Sequence, residues 1–258
     1  MLRYVAALLL FVFASAVFTS AVDAQDSESV PRKLVIGGGG ALPSEVFKAF
    51  RQLAGEKPRL IVIPTASSIE PNTIEVAELW NGRGFQDIEV LHTRDRAEAN
   101  DQAFAGRLDR ATAVWFGGGS QSKLTEAYES TLVETKLHEL LARGGVIGGS
   151  SAGAAIQSEV MIAGGRTEPR IGVGLGFLPE CILDQHFLAR DRLRRSISAV
   201  QEHSDRIGIG IDEGTALVVV GNQARVEGRS YVIRIESSDS GLEIRSFGKG
   251  ETVPLITP

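Results

Sequence analysis

The sequence predicts an α/β fold with a mostly parallel sheet that is covered by helices on both faces. Apolar runs of strand length alternate with amphipathic runs of helix length over most of the 258 residues. This alternation is typical of parallel strands that are buried on both faces. From residue 216 onward, short apolar runs separated by polar turns indicate antiparallel strands in the C-terminal part.

The predicted elements follow one another without a linker rich in Pro or Ser, so we expect one domain over residues 33–258. In the helix predicted for residues 43–54, Val46, Phe47, Phe50 and Leu53 share one face. The other predicted helices are 70–83, a short one within 101–109, and 122–143. The predicted strands, each an apolar run, are 33–36, 59–64, 88–91, 112–116, 145–147, 181–183, 207–211, 216–220, 224–226 and 231–235.

Glycine-bearing loops follow three of the predicted strands, at residues 37–40, 117–119 and 148–153. Loops that follow parallel strands meet at the carboxyl edge of the sheet, where ligands bind in open α/β folds. We therefore expect the functional site at that edge.

Composition narrows the class of protein. Hydrophobic residues make up 43% and charged residues 23%, as in ordinary soluble globular domains. The net charge of −5 argues against nucleic acid or an anionic membrane as a partner. Cys181 is the only cysteine, which excludes an intramolecular disulfide and a thiolate metal cluster, and its apolar context predicts a buried, inert thiol.

The N-terminal residues 1–24 have the pattern of a cleaved signal peptide. Arg3 precedes an apolar run over residues 5–18, and small residues at Val22 and Ala24 flank the expected cleavage site after Ala24. The apolar run is shorter than the roughly 20 residues that a membrane-spanning helix needs. We expect export to the periplasm or the medium, and no stable membrane association after cleavage.

A serine turn provides the first candidate for chemistry. Residues 149–153 read Gly-Ser-Ser-Ala-Gly, and the G-x-S-x-G spacing places Ser151 at the centre of a sharp strand-to-helix turn. The backbone N–H of Ala152 is the expected first oxyanion donor, and that of Gly118 or Gly119 the second. On its own the pentapeptide is also compatible with an ordinary small-residue turn or a phosphate-binding turn.

A nucleophilic serine needs a base, and the chain has four histidines. His186 ends a predicted strand, which places it at the same edge as Ser151. His92 also follows a strand and is the second candidate. His138 lies in a charged helix, so we expect it on a solvated face, and His203 lies at a helix end, where an imidazolium would complement the helix dipole.

The carboxylate that would orient the base is less well defined. Asp212 and Glu213 follow the predicted strand 207–211, and adjacent residues of an extended chain point to opposite sides, so only one meets the histidine. Asp184 is a rival, although it lies close in sequence to His186. Residue spacing leaves this choice open.

A group of arginines follows His186 in an otherwise acidic chain. Guanidinium groups at the site edge would bind carboxylates in a bidentate manner, which predicts an acidic substrate. A solvated basic helix face is the simpler interpretation. The four residues are Arg190, Arg192, Arg194 and Arg195.

With these residues in view, the chain resembles the cyanophycinases and, more broadly, the dipeptidase E group of serine peptidases (peptidase family S51) over about residues 33–220. Residues 184–195 read Asp-Gln-His-Phe-Leu-Ala-Arg-Asp-Arg-Leu-Arg-Arg, which fits the family pattern DQHF, R, R, R at the family's spacing. Residues 148–154 and 208–213 also stand at the expected order and spacing. The resemblance implies a class I glutamine amidotransferase-like fold, a Ser151, His186 and Glu213 triad, and no metal or cofactor.

The resemblance further implies a substrate. Cyanophycin is a poly-aspartate backbone with arginine joined to each side-chain carboxylate, and the family's enzymes release β-Asp-Arg dipeptides. The implied arginine contacts suit aspartate carboxylates, and Asp184 would receive the substrate's guanidinium. The implied pocket residues are Gln121, Asp184, Gln185, Arg190, Arg192 and Arg195.

Two features depart from the family. Ser120 stands where the family usually has Asp or Asn before the glutamine, and the export signal is unlike the familiar intracellular enzymes of this length. We expect a secreted, cyanophycinase-like serine exopeptidase, and a homodimer is compatible with this expectation. The alternatives are an α-aspartyl dipeptidase and a non-catalytic exported protein that binds aspartyl peptides.

Overall fold

The computed structural model describes residues 30–238 and 241–255, and the following bounds refer to them. The strands are β1 Lys33–Gly37, β2 Arg59–Ile63, β3 Asp87–Val90, β4 Ala113–Phe116, β5 Val146–Ser150, β6 Val160–Gly164, β7 Arg170–Val173, β8 Cys181–Gln185, β9 Ile207–Ile211, β10 Thr215–Val220, β11 Gln223–Gly228, β12 Val232–Ser238, β13 Gly241–Phe247 and β14 Thr252–Pro254.

The helices cover most of the segments between these strands in the first two thirds of the chain. They are α1 Ser44–Leu53, α2 Thr73–Asn81, α3 Arg96–Ala99, α4 Gln102–Ala105, α5 Gln121–Tyr128, α6 Leu132–Ala142, α7 Ala152–Ala155 and α8 Leu193–Glu202, with a 3₁₀ turn at Gly106–Arg110.

The central sheet has the strand order β14-β11-β10-β1-β5-β4-β2-β3. Strands β1, β5, β4, β2 and β3 are parallel, whereas β10, β11 and β14 add antiparallel pairs at one side. Gly37 pairs with Ser150, and Phe116 pairs with Gly149. The carboxyl ends of β1, β5 and β4 therefore lie side by side, as the three glycine loops predicted.

Both faces of the central sheet are covered, which confirms the predicted fold class. Alternate residues of β1 enter different cores: Leu34 and Ile36 pack with α5–α7, and Val35 packs with α1 and α2. The α1–α2 side is filled by large aromatic rings, because Phe50 and Trp80 both contact Trp115 with centroids 5.0 and 5.3 Å away. Burial of these apolar rings stabilises the sheet.

A second sheet, in the order β13-β12-β9-β8, carries the strands before His186 and Asp212. Strands β8 and β9 are parallel, and β12 and β13 are antiparallel. Leu183 and Ile209 face the main core, while Ile182 faces Val200 of α8. The apolar pattern identifies these strands but carries no information on which sheet they join, so only the structure separates the two sheets.

The prediction of one helix over 122–143 is wrong. The helix breaks between α5 and α6, where Ser130 has φ +55° and its N–H donates to the Glu134 carboxylate at 2.5 Å. A Thr131-x-x-Glu134 pattern, which is typical of a helix start, is the sequence signal for this break. The β6–β7 hairpin was also absent from the sequence prediction.

The predicted signal peptide, residues 1–24, lies outside the residues that the structure describes. In residues 30–238 and 241–255, the search for a helix with the length and apolarity of a membrane span found none.

Candidate active site

Ser151 occupies the turn between β5 and α7, with φ 55° and ψ −111°. Such a conformation is strained for a residue with a side chain, and it turns the strand directly into a helix. The turn needs glycine on both sides. A Cβ at Gly149 would lie 2.5 Å from the carbonyl carbon of Gly153, and one at Gly153 would lie 2.6 Å from the Cβ of Phe116.

His186 connects Ser151 to Glu213 in one series of hydrogen bonds. The His186 Nε2 atom lies 2.9 Å from Ser151 Oγ, and its Nδ1 atom lies 2.5 Å from Glu213 Oε1. His186 is 7% exposed. With Nδ1 protonated and donating to Glu213, Nε2 is free to accept the serine proton, which is the geometry of a nucleophile, a base and an orienting acid.

The glycine loop after β1 makes room for these side chains. A Cβ at Gly39 would lie 2.5 Å from His186 Nε2, and one at Gly40 would lie 3.0 Å from Glu213 Oε2. Both glycines have positive φ, +102° and +63°. The sequence analysis placed this loop at the site edge but did not assign it this role, because the contact joins residues nearly 150 positions apart.

His186 also has a positive φ, of 50°. Its backbone N–H donates to the Gly38 carbonyl at 2.6 Å, which fixes the residue against the glycine loop. Asp212 fixes the residues that follow: its Oδ1 accepts the N–H groups of Leu188 and Ala189 at 3.0 and 2.9 Å.

Of the two adjacent acids, Glu213 is the one whose carboxylate bonds to His186. Asp212 points to the other side of the chain, where its Oδ2 also accepts the Ser230 hydroxyl at 2.7 Å. Burial acts to raise the pKa of Asp212, but the hydrogen bonds from Ser230 and the backbone outweigh it, and the pKa is lowered.

The other histidines have different partners. His92 Nδ1 lies 2.8 Å from the Thr65 hydroxyl, and His92 Nε2 lies 3.3 Å from Glu70. His138 bonds to the Leu175 carbonyl at 2.9 Å, and His203 is the C-cap residue of α8. Of the four, His186 is the one bonded to Ser151.

Two backbone segments border Ser151 where an oxyanion would form. Ala152 is the first residue of α7, and a Cβ at Gly118 would lie 3.6 Å from the Ser151 Cβ. Within the described part of the chain, the N–H groups of Ala152, Gly118 and Gly119 donate to no other group. Gly119 has φ +139° and leaves no room for a side chain against Ala66. These three N–H groups are therefore available to donate to an oxyanion.

The pKa of His186 is lowered, first because burial disfavours the charged imidazolium. The positive charges of Arg190 and Arg192 lower it further, while Glu213 acts in the opposite direction. The imidazole is therefore neutral at pH 7 and available as a base.

Asp184 differs most from its implied role. It is 3% exposed, and its carboxylate accepts hydrogen bonds from Arg192, Arg195 and Ser196. The Arg195 guanidinium is equally occupied, since Nη1 donates to the Gly165 carbonyl at 2.6 Å. The Asp184 carboxylate is bonded to three side chains, and the Arg195 guanidinium to Asp184 and a backbone carbonyl, which leaves neither group free to receive a substrate.

Some of the remaining implied pocket residues bind the protein itself, and others keep polar atoms available for a ligand. Gln121 donates to the carbonyls of Ile162 and Ala163 at 3.0 and 3.3 Å. Gln185 Oε1 lies 3.5 Å from Ser151 Oγ, next to the reacting position. Arg190 is exposed, and within the described residues its side chain has no hydrogen-bond or ion-pair partner.

Arg192 is intermediate between these two groups. Its Nη1 atom contacts Asp184 at 3.1 Å and the Gln185 carbonyl at 2.5 Å. The other guanidinium nitrogens make no hydrogen bond to a described residue. Arg190 and Arg192 are therefore the cations of the motif with donors left for a ligand.

Cys181 is buried, and burial raises the pKa of its thiol to about 12. The thiol is therefore protonated at physiological pH, as predicted for an inert core cysteine. In residues 30–238 and 241–255, no group of three His, Cys, Asp or Glu side chains is placed to hold a metal ion.

Comparisons with known proteins find one matching family and several similar sequences. The family model described as "Peptidase family S51" matches residues 34–227. The cyanophycinase of Synechococcus elongatus is 35% identical over 222 residues, covering 80% of this chain and 69% of that protein. The cyanophycinase of Geminocystis herdmanii is 36% identical over 197 residues, 72% of each chain.

Solved structures share the fold. A peptidase from an acI-B1 Actinobacterium matches with a TM-score of 0.66 and 25% identity, over 88% of this chain and 98% of that one. A putative peptidase E protein from Listeria monocytogenes matches with a TM-score of 0.55 over 78% of this chain and 100% of that one, and its 18% identity supports the fold alone.

Proposed function

This chain belongs to peptidase family S51 and is a serine-type peptidase, and on that basis we propose that it hydrolyses cyanophycin or a related β-aspartyl polymer to β-Asp-Arg dipeptides. The observation that carries the proposal is the unbroken series from Ser151 through His186 to Glu213, at 2.9 and 2.5 Å. The relatives' name supports the choice of substrate.

In the proposed mechanism, His186 takes the Ser151 proton as Oγ attacks the scissile carbonyl. Glu213 stabilises the resulting imidazolium and holds the ring. The N–H groups of Ala152 and Gly118 or Gly119 bind the oxyanion, and removing one such donor typically costs on the order of 10²–10³ in rate. The imidazolium then protonates the leaving amine, and water activated by His186 releases the acyl group.

Charge near the site supports an acidic substrate. Arg190 and Arg192 have guanidinium donors available beside His186, and a planar guanidinium binds a carboxylate through two hydrogen bonds. We assign the substrate's aspartyl carboxylates to these two residues. Gln185, next to Ser151 Oγ, is assigned to the scissile group.

We also propose that residues 1–24 direct export and are removed, so that the enzyme acts in the periplasm or the medium. N-terminal sequencing of the secreted protein tests this, because the mature chain is expected to begin at Gln25. A protein that keeps its first 24 residues in the cell contradicts it.

The main experiment incubates the purified protein with cyanophycin and identifies the products by mass spectrometry. We expect β-Asp-Arg dipeptides from the wild type and none from folded Ser151→Ala. A fluorophosphonate should label the wild type at Ser151 and leave the variant unlabelled.

The same assay separates the alternative functions. Cleavage of α-Asp-X dipeptides with no release from cyanophycin would replace this proposal with an α-aspartyl dipeptidase. Absence of both labelling and cleavage would favour an exported binding protein that captures aspartyl peptides.

A further inference from the structure

The β6–β7 hairpin, absent from the sequence prediction, reaches the edge where Ser151 and His186 lie. Two arginines show its direction. Arg206 binds Glu159, just before β6, at 3.1 Å and the Pro179 carbonyl, just before β8, at 2.8 Å. Arg195 binds the Gly165 carbonyl, just after β6, and also Asp184 near the end of β8. Strand β6 therefore runs beside β8 in the same direction, and the hairpin turn emerges at the carboxyl end of β8.

The hairpin is also fixed on its other side. Gln121, which follows the oxyanion segment of Gly118 and Gly119, donates to the carbonyls of Ile162 and Ala163. The end of β6 is thus held between the oxyanion segment and β8, the strand that carries Gln185. Gln121 and Arg195, both implied as pocket residues, act here as positioning residues that hold the hairpin backbone.

The hairpin turn, residues 165–168, has a defined shape. Gly165 has φ +96°, and a Cβ there would lie 3.0 Å from the carbonyl carbon of Glu168, so the two residues are in close approach. Arg166, Thr167 and Glu168 are exposed. In the described part of the chain, the Glu168 carboxylate has no ion pair or hydrogen bond with another side chain.

We propose that the hairpin turn forms one wall of the substrate pocket and that Glu168 binds the guanidinium of the substrate's arginine. This deepens the proposed function and rests on it. A substrate with paired carboxylate and guanidinium groups needs an acid as well as Arg190 and Arg192. The Asp184 carboxylate is fully bonded to Arg192, Arg195 and Ser196, so another acid has to receive the guanidinium. Glu168 is an exposed acid on the hairpin turn, and Gln121 and Arg195 hold the backbone of that hairpin.

Asp191 is the rival acid. It is exposed, lies between Arg190 and Arg192, and has φ +51°. Two neighbouring arginines compete for its carboxylate with any substrate cation, whereas Glu168 belongs to a different element. The comparison of the two acids therefore decides which one receives the guanidinium.

The test uses two matched peptides, β-Asp-Arg and β-Asp-citrulline oligomers, which differ in the charge of one isosteric side chain. The kcat/KM ratio of the two is measured for the wild type, Glu168→Gln, Asp191→Asn and Glu243→Gln, an exposed acid on β13 that serves as control. We expect Glu168→Gln to reduce the preference for arginine about two- to fivefold, the range for an exposed ion pair, mainly through KM. Asp191→Asn, which tests the rival acid, and the control Glu243→Gln should both keep the wild-type ratio.

The outcomes are distinct. An unchanged ratio in Glu168→Gln, or a loss confined to Asp191→Asn, overturns the assignment of Glu168 while cleavage and phosphonate labelling of Ser151 still support the proposed function. Absence of cleavage of both peptides and of Ser151 labelling overturns the proposed function, and this inference with it.

Discussion

Replacing Asp184 with asparagine tests whether this residue holds the fold or binds substrate. The substitution keeps the size of the side chain and removes its charge. Asp184 and Arg195 have side chains that are 2% and 4% exposed, and Arg192 and Ser196 complete the cluster. Removing one partner of a buried ion pair leaves the other charge uncompensated and typically costs about 3–5 kcal/mol. We expect Asp184→Asn to be destabilised by that amount.

The assay is thermal denaturation followed by circular dichroism. For a domain of this size, 1 kcal/mol corresponds to a change of about 2–4 °C in Tm, so the expected fall is on the order of 10 °C. Asp191→Asn is the matched control, because it removes an exposed acid from the same segment and should change stability by less than about 0.5 kcal/mol. A variant with wild-type Tm and a raised KM would refute this reasoning and return Asp184 to the substrate pocket.

Two further substitutions test the His186 environment. Gly39→Ala should lower kcat by about 10²-fold, because the new Cβ lies 2.5 Å from His186 Nε2 and moves the ring. Gly55→Ala, with similar φ but no atom within 4 Å of the added Cβ, should cost only about 1 kcal/mol of stability and leave kcat intact. Arg190→Ala should move the acid limb of the kcat/KM profile to higher pH, because Arg190 lowers the pKa of His186 and its removal lets that pKa rise. A limb that stays in place or moves to lower pH contradicts this electrostatic assignment, and equal kcat in both glycine variants contradicts the steric one.

The sequence predicted the strands better than the helices, for a physical reason. A buried parallel strand must be apolar along its whole length, so β1, β2 and β4 are visible as continuous runs. The break between α5 and α6 depends on a single backbone conformation at Ser130, which hydrophobic periodicity does not report. The separation into two sheets depends on long-range strand pairing, which the apolar pattern does not report either.

The same limit applies to the candidate site. Spacing was enough to place Ser151 and His186 at the carboxyl ends of strands, although those strands, β5 and β8, belong to different sheets. It could not choose between Asp212 and Glu213, because their difference is the direction of each side chain. For Asp184, the motif indicates that an acid is required near the arginines, and only the packing shows that the acid binds the protein itself.

The motif's charges connect substrate binding to the strength of the base. Asp184 neutralises much of the buried positive charge of Arg192 and Arg195. The positive potential near His186 therefore comes mainly from Arg190 and from the guanidinium nitrogens of Arg192 that make no hydrogen bond to a described residue. Burial lowers the pKa of His186 in the free enzyme, and this positive field lowers it further and attracts a carboxylate. A bound carboxylate offsets the positive charge, which stabilises the imidazolium and raises the pKa of His186. If the substrate is acidic, as we propose, its binding would make His186 a stronger base when Ser151 must lose its proton, whereas a neutral substrate at the same position would not.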